Sequence, residues 1–212
     1  MALFNYKKKY IKKSDFQFIA AISLCFLLYL LINILNLIGI EKMLYSPLYI
    51  LKEPYRIFLY NFVHKDINHL FSNICGIVMI RYFLIKLFSK SKYLFFYLII
   101  LIIPIQTLFL YLGDVYIYQN KEHFLVGFSG IIFGVFSFLL MSSYWGNNFL
   151  FQSFIGLEKD KSIFRLLLFL VSIGLFYSLI PGISLKGHLS GIFSGLIIFF
   201  SSKLFEKTYM ME

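Results

Sequence analysis

FLVGFSGIIFGVFSFLL, residues 124–140, joins a G-x-S-G turn (Gly127, Phe128, Ser129, Gly130) directly to an apolar run. It reads as a membrane helix with a serine in its first turn. A hydroxyl there lies beside the unpaired N–H groups and the positive end of the helix dipole. Anionic charge that develops nearby is stabilised by that end. The plainer reading is an N-cap, because serine is a favoured capping residue and glycines let membrane helices approach closely. Residues elsewhere in the chain bear on the choice.

Composition sets the solvent. The 212 residues are 60% hydrophobic and 14% charged, against about 25% charged in soluble domains. The chain therefore reads as an integral membrane protein. Six spans of about 20 residues would use more than half of it and leave little for a soluble domain. A net charge of +10 could suggest nucleic acid, but the lysines flank apolar spans instead of clustering in a patch. Cys25 and Cys75 both fall within apolar spans, which argues against a disulfide framework.

Outward from the central stretch, the apolar segments are residues 16–38, 67–88, 93–112, 127–145, 162–180 and 185–204. The basic N-terminal tail (1–15) and the first segment could mimic a signal peptide. The run is too long and lacks a small-residue cleavage site, so it reads as a retained span. Residues 39–66 form the longest connection, a structured outer loop rich in Pro, Tyr and charge, and 113–126 reads as a polar loop. With the N-terminus inside, fourteen of the twenty Lys and Arg side chains fall on inner segments and six on outer ones. That bias predicts both termini in the cytoplasm and places Ser129 at the outer end of the fourth span. No internal repeat supports an inverted-repeat transporter. A channel would need intramembrane charges beyond Arg81 and Lys86, which lie near an inner end.

Two further stretches sit at the same depth. In FVHKDINHLFSNICG, residues 62–76, His69 and Asn73 are four apart and share a helix face, with His64 just before them. Polar side chains are costly in a span, so a functional role is the default reading. The plainer reading is that they hold the adjacent loop. In LKGHLSGIFSGLII, residues 185–198, His188, Gly191 and Gly195 lie on one face. Gly191-x-x-x-Gly195 and Gly130-x-x-x-Gly134 are small-residue seams. If they face each other, the fourth and sixth helices pack closely and His188 approaches Ser129. The four histidines raise zinc as competing chemistry, but no H-E-x-x-H and no Cys or carboxylate at ligand spacing accompanies them, so no metal and no cofactor is expected.

In this order, H-x4-H-x3-N, G-x-S-G and G-H-x2-G-x3-G resemble the rhomboid intramembrane serine proteases over nearly the whole chain. Tyr55-Arg56 resembles the family's Trp-Arg pair, with Tyr in place of Trp. The resemblance implies an all-α, polytopic, six-transmembrane-helix bundle, with residues 1–212 as a single membrane domain. It implies Ser129 as nucleophile and His188 as general base in a dyad without a carboxylate. The Ser129 N–H and Asn73 would form the oxyanion hole, assisted by His69, with His64, Gly127, Phe133 and Arg56 supporting. Phe133 stands where the family often has Tyr stacked on the catalytic histidine. The implied substrates are transmembrane segments of other proteins in the lipid bilayer, cut near the outer face. Entry between the second and fifth spans, a mobile cap at 181–186 and a bacterial plasma-membrane location are further expectations. The alternative is a non-catalytic rhomboid-like protein that binds transmembrane segments for quality control, although such relatives usually lack the serine or the histidine.

Overall fold

The computed structural model describes residues 2–120 and 122–209. Met1, Lys121 and residues 210–212 lie outside the described residues, as do the side chains of 2–14, the N-terminal lysines among them, and of Tyr209. Helix α1 (Ala2–Tyr29) continues into a π-turn (Leu30–Ile34), so the first apolar segment ends as helix four residues before the predicted 38. A loop carrying a 3-10 turn (Ile40–Lys42) and the short α2 (Arg56–Leu59) leads to α3 (Ile67–Lys86). Then come α4 (Leu94–Leu112), a π-turn (Gly113–Ile117), α5 (Ser129–Trp145), strands β1 (Asn147–Leu150) and β2 (Ser153–Leu157), α6 (Lys161–Tyr177) and α7 (Leu185–Tyr209).

Among the described residues, four helical stretches are long and apolar enough to cross a membrane: Asp15–Ile34, Ile67–Lys86, Leu94–Ile117 and Leu185–Thr208. Helices α5 and α6 have 17 residues each, about 25 Å at 1.5 Å per residue. They differ in surroundings. Eleven residues of α5 are buried, from Gly130 to Ser143, so α5 sits inside the bundle. Helix α6 buries only Ile163, Leu167 and Val171, one stripe at i, i+4 and i+8, and exposes Leu166, Leu168, Phe169, Ile173 and Phe176. An exposed apolar face of that breadth marks a surface for lipid or for another protein.

Small residues set the central packing. A Cβ at Gly191 would overlap the Gly130 carbonyl, and one at Gly195 would overlap the Gly134 carbonyl and the Ser137 hydroxyl. A Cβ at Gly134 would meet the Gly191 carbonyl at 3.0 Å. The two seams expected to face each other do so, and α5 and α7 meet backbone to backbone. Ser137 Oγ adds bonds to the Gly134 carbonyl (2.9 Å) and, across the seam, to the Ile192 carbonyl (3.0 Å).

Two expectations need correction. The chain is not wholly α-helical, because β1 and β2 form an antiparallel hairpin with Phe149 opposite Phe154 and Leu150 opposite Ser153. Lys90 N–H bonds to the Ile155 carbonyl (2.8 Å) and Glu158 N–H to the Leu87 carbonyl (3.0 Å), which docks the hairpin on the end of α3. The loop predicted for 113–126 also begins later than expected, since helix persists to Ile117. Asp114 can be buried there because its carboxylate accepts from Tyr45 Oη (3.2 Å), His123 Nδ1 (2.7 Å) and Lys186 Nζ (2.8 Å). Burial, and then the Asp114 charge, raise the Tyr45 pKa, so its phenol remains a donor.

Candidate active site

The site is assembled at the starts of α3, α5 and α7. Gly127 turns the chain into α5 with φ +118°, a conformation that favours glycine. The strand-like approach to this turn is held by Tyr45 N–H on the Leu125 carbonyl (2.9 Å) and by Gly127 N–H on the Tyr60 carbonyl (2.9 Å). Phe128 occupies the N-cap position, and no side chain caps the helix. Ser129 is therefore not a cap, which removes the plainer reading of its hydroxyl. Its Oγ lies 2.9 Å from His188 Nε2.

His188 stands in the first turn of α7 and is 6% exposed. Its ring stacks on Phe133 with centroids 4.3 Å apart and planes at 23°. Phe133 is one turn beyond Ser129 on α5, so one helix supplies both the hydroxyl and the plate that holds the imidazole. The Phe133 ring fits because α6 has glycine opposite: a Cβ at Gly174 would lie 2.5 Å from Phe133 Cζ. The other ring nitrogen, His188 Nδ1, is 2.5 Å from Ser178 Oγ. Sequence reading missed Ser178, a serine at a helix end that resembles an ordinary cap.

Helix α3 is started by Asp66, whose carboxylate accepts the His69 N–H at 2.8 Å. His69 and Asn73 then project from one face toward Gly127. A Cβ there would lie 2.5 Å from His69 Nε2 and 3.6 Å from Asn73 Nδ2. Asn73 is buried, and its Nδ2 has no hydrogen-bond partner among the described residues. Nor has His69 Nδ1. Buried polar atoms are nearly always paired, so an unpaired donor beside the Gly127 turn that leads into Ser129 is a feature to explain.

His64 is buried with Nδ1 3.1 Å from the Phe62 carbonyl, and its ring meets His69 edge-on at 5.0 Å. Burial, and then His69, push its pKa down to about 4, so it is neutral with its Nδ1 proton on that carbonyl. Its own carbonyl accepts from Asn33 Nδ2 at 3.0 Å, so His64 joins the loop to the end of the first span. Arg56 is also buried, and its bonds stay within the loop: Nη1 to the carbonyls of Glu41 (2.6 Å) and Leu44 (3.0 Å), Nε to Glu53 (2.6 Å). Tyr55 Oη and Arg56 both donate to Glu53 and hold its carboxyl below the usual range.

The structure thus brings Ser129, His188 and Phe133 together, and gathers His69, Asn73 and Gly127 around the turn before Ser129. Gly130, Gly134, Gly191 and Gly195 form the seam, while His64 and Arg56 shape the loop. Gln106 was another miss. Its Oε1 is buried without a partner among the described residues, 2.6 Å from where a Cβ at Gly130 would sit, and its Nε2 donates to Tyr60 Oη and Asn61 Oδ1, each at 2.8 Å. Among the described residues no group of three or more His, Cys, Asp or Glu could hold a metal ion.

A family model described as the Rhomboid domain matches residues 51–203. A protein of Acanthamoeba polyphaga mimivirus named as a putative rhomboid protein is 28% identical over 136 residues, 64% of this chain and 68% of its own length.

Proposed function

Since the chain belongs to the rhomboid family of membrane proteins, we propose that it is an intramembrane serine endopeptidase working through a Ser129–His188 dyad. One observation carries this reading: the 2.9 Å contact between Ser129 Oγ and His188 Nε2 at the start of α5. A neutral imidazole at that distance can take the hydroxyl proton as Oγ attacks a peptide carbonyl. The proton then passes to the leaving amine, and water releases the acyl group by the same steps. The Ser129 N–H, in the first turn of α5, has no intrahelical acceptor. With Asn73 Nδ2 and the positive helix end, it is available to the tetrahedral oxyanion. His69 stands beside Asn73 as an auxiliary donor.

In this reading all six long helices cross the bilayer as one domain, with both termini in the cytoplasm. The shorter α5 is enclosed by its neighbours, so its serine lies below the headgroups in a cavity reached by water from outside. Substrates are transmembrane segments of other membrane proteins, unwound locally so that a peptide bond becomes accessible.

The test is reconstitution in liposomes with a model transmembrane substrate, comparing the parent with Ser129→Ala and His188→Ala. Cleavage by the parent alone is expected. Cleavage that persists in either variant excludes the dyad, and none by the parent across several substrates leaves binding without catalysis as the function.

A further inference from the structure

Ser178, the C-cap residue that follows α6, makes two short contacts through one hydroxyl. Its Oγ is 2.6 Å from the Gly174 carbonyl oxygen and 2.5 Å from His188 Nδ1. Ser178 is 3% exposed and His188 6% exposed, so the protein supplies these partners. Two contacts this short each need a hydrogen between the heavy atoms. A hydroxyl owns one hydrogen, and a carbonyl oxygen owns none. Two oxygens at 2.6 Å without a proton between them would repel. The Ser178 hydrogen therefore points at Gly174, and the hydrogen in the second contact comes from His188 Nδ1.

We infer that Ser178 is a positioning residue that fixes His188 as the Nδ1–H tautomer and so leaves the Nε2 lone pair free toward Ser129. The chain of donors runs in one direction: Ser129 O–H to His188 Nε2, His188 Nδ1–H to Ser178 Oγ, Ser178 O–H to the Gly174 carbonyl. The opposite tautomer would put a proton on Nε2, where it could not accept from the nucleophile. Gly174 serves the arrangement twice, since its carbonyl receives the end of this chain and its missing side chain admits the Phe133 ring that stacks on His188. When Nε2 takes the proton from Ser129, the imidazolium keeps its Nδ1–H on a neutral acceptor, so no carboxylate is needed to orient it.

The catalytic consequence rests on the proposed protease reading, while the tautomer does not. Threonine and valine at position 178 have the same shape and differ in the hydroxyl, so the pair Ser178→Thr and Ser178→Val isolates it. Nitrogen-15 NMR of histidine-labelled protein in nanodiscs, with His188 assigned by its loss in His188→Gln, reads the tautomer directly. The parent and Ser178→Thr are expected to show protonated Nδ1 and bare Nε2. Ser178→Val is expected to show mixed tautomers. In the liposome assay its kcat should fall about ten- to hundredfold at unchanged KM. That is less than the roughly ten-thousandfold loss when a triad histidine is held in the wrong tautomer. If Thr and Val give the same spectrum, or if the parent carries its proton on Nε2, Ser178 does not set the tautomer. If the parent cleaves no substrate while the spectra differ as described, the tautomer assignment stands and the protease reading falls.

Discussion

Replacing Gly174 by alanine tests how tightly the imidazole is held. The new Cβ would lie 2.5 Å from Phe133 Cζ and 2.9 Å from Cε1. Carbon atoms need about 3.5 Å, so the ring must retreat by about 1 Å. Phe133 stacks on His188 at 4.3 Å, and the displacement passes to the imidazole. A misplacement of about 1 Å at a reacting group can cost on the order of a hundredfold in rate, or about 2.7 kcal/mol of barrier. Stability should change much less. Overpacking costs about 1–3 kcal/mol, against a gain of about 1 kcal/mol for alanine over glycine in a helix. Cleavage of a fluorogenic transmembrane substrate in liposomes gives kcat, and thermal unfolding in detergent gives the other quantity. We expect kcat to fall about a hundredfold with a small shift in Tm. Adding Phe133→Leu should recover stability without recovering the rate, because the clash goes and the stacked plate goes with it. A Gly174→Ala variant that cleaves within threefold of the parent would show that Phe133 does not govern His188.

Three other substitutions probe separate parts of the molecule. Asn73→Ala removes a donor without a partner among the described residues, so kcat should fall at least about a hundredfold, near 3 kcal/mol, while Tm is unchanged; equal loss of both would make Asn73 structural. Gly195→Ala forces a methyl into the Gly134 carbonyl and Ser137, so it should lower stability by about 1–3 kcal/mol in the same melts, and a neutral result would mean the seam is looser than described. Asp114→Asn weakens the contacts to Lys186 and His123 that join the end of α4 to the start of α7. Lys186 retains 28% side-chain exposure, so the cost should be about 1–3 kcal/mol, below the roughly 3–5 of a broken fully buried pair. An unchanged melting curve would remove that clamp from the description.

What could be read in the sequence was spacing. Four-residue spacing put His69 and Asn73 on one face of α3, and the two G-x-x-x-G seams supplied a reason for α5 and α7 to touch. Phe133, one turn past Ser129, followed from the resemblance. What escaped depended on rotation about helix axes and on loop geometry, which spacing does not encode. Ser178 meets His188 only because α6 turns that face inward, and its position at a helix end resembles a cap. Asp114 looked like a loop residue because a buried carboxylate makes sense only once Tyr45, His123 and Lys186 are known to converge on it. The hairpin after α5 had no Asn-Gly or Gly-x signal. Phe151 and Gln152 occupy its turn at φ +45° and +64°, a strained choice that local propensity would not suggest.

The claim on which the rest depends is that His188 activates Ser129, which is half-buried and so reachable by a small reagent. Treatment of the folded protein with a fluorophosphonate, followed by peptide mass spectrometry, measures this with no need for a known substrate. The expected result is a single adduct on Ser129 that is absent in His188→Ala and in heat-unfolded protein. An unmodified Ser129 in the folded parent, or equal modification without His188, would contradict the dyad.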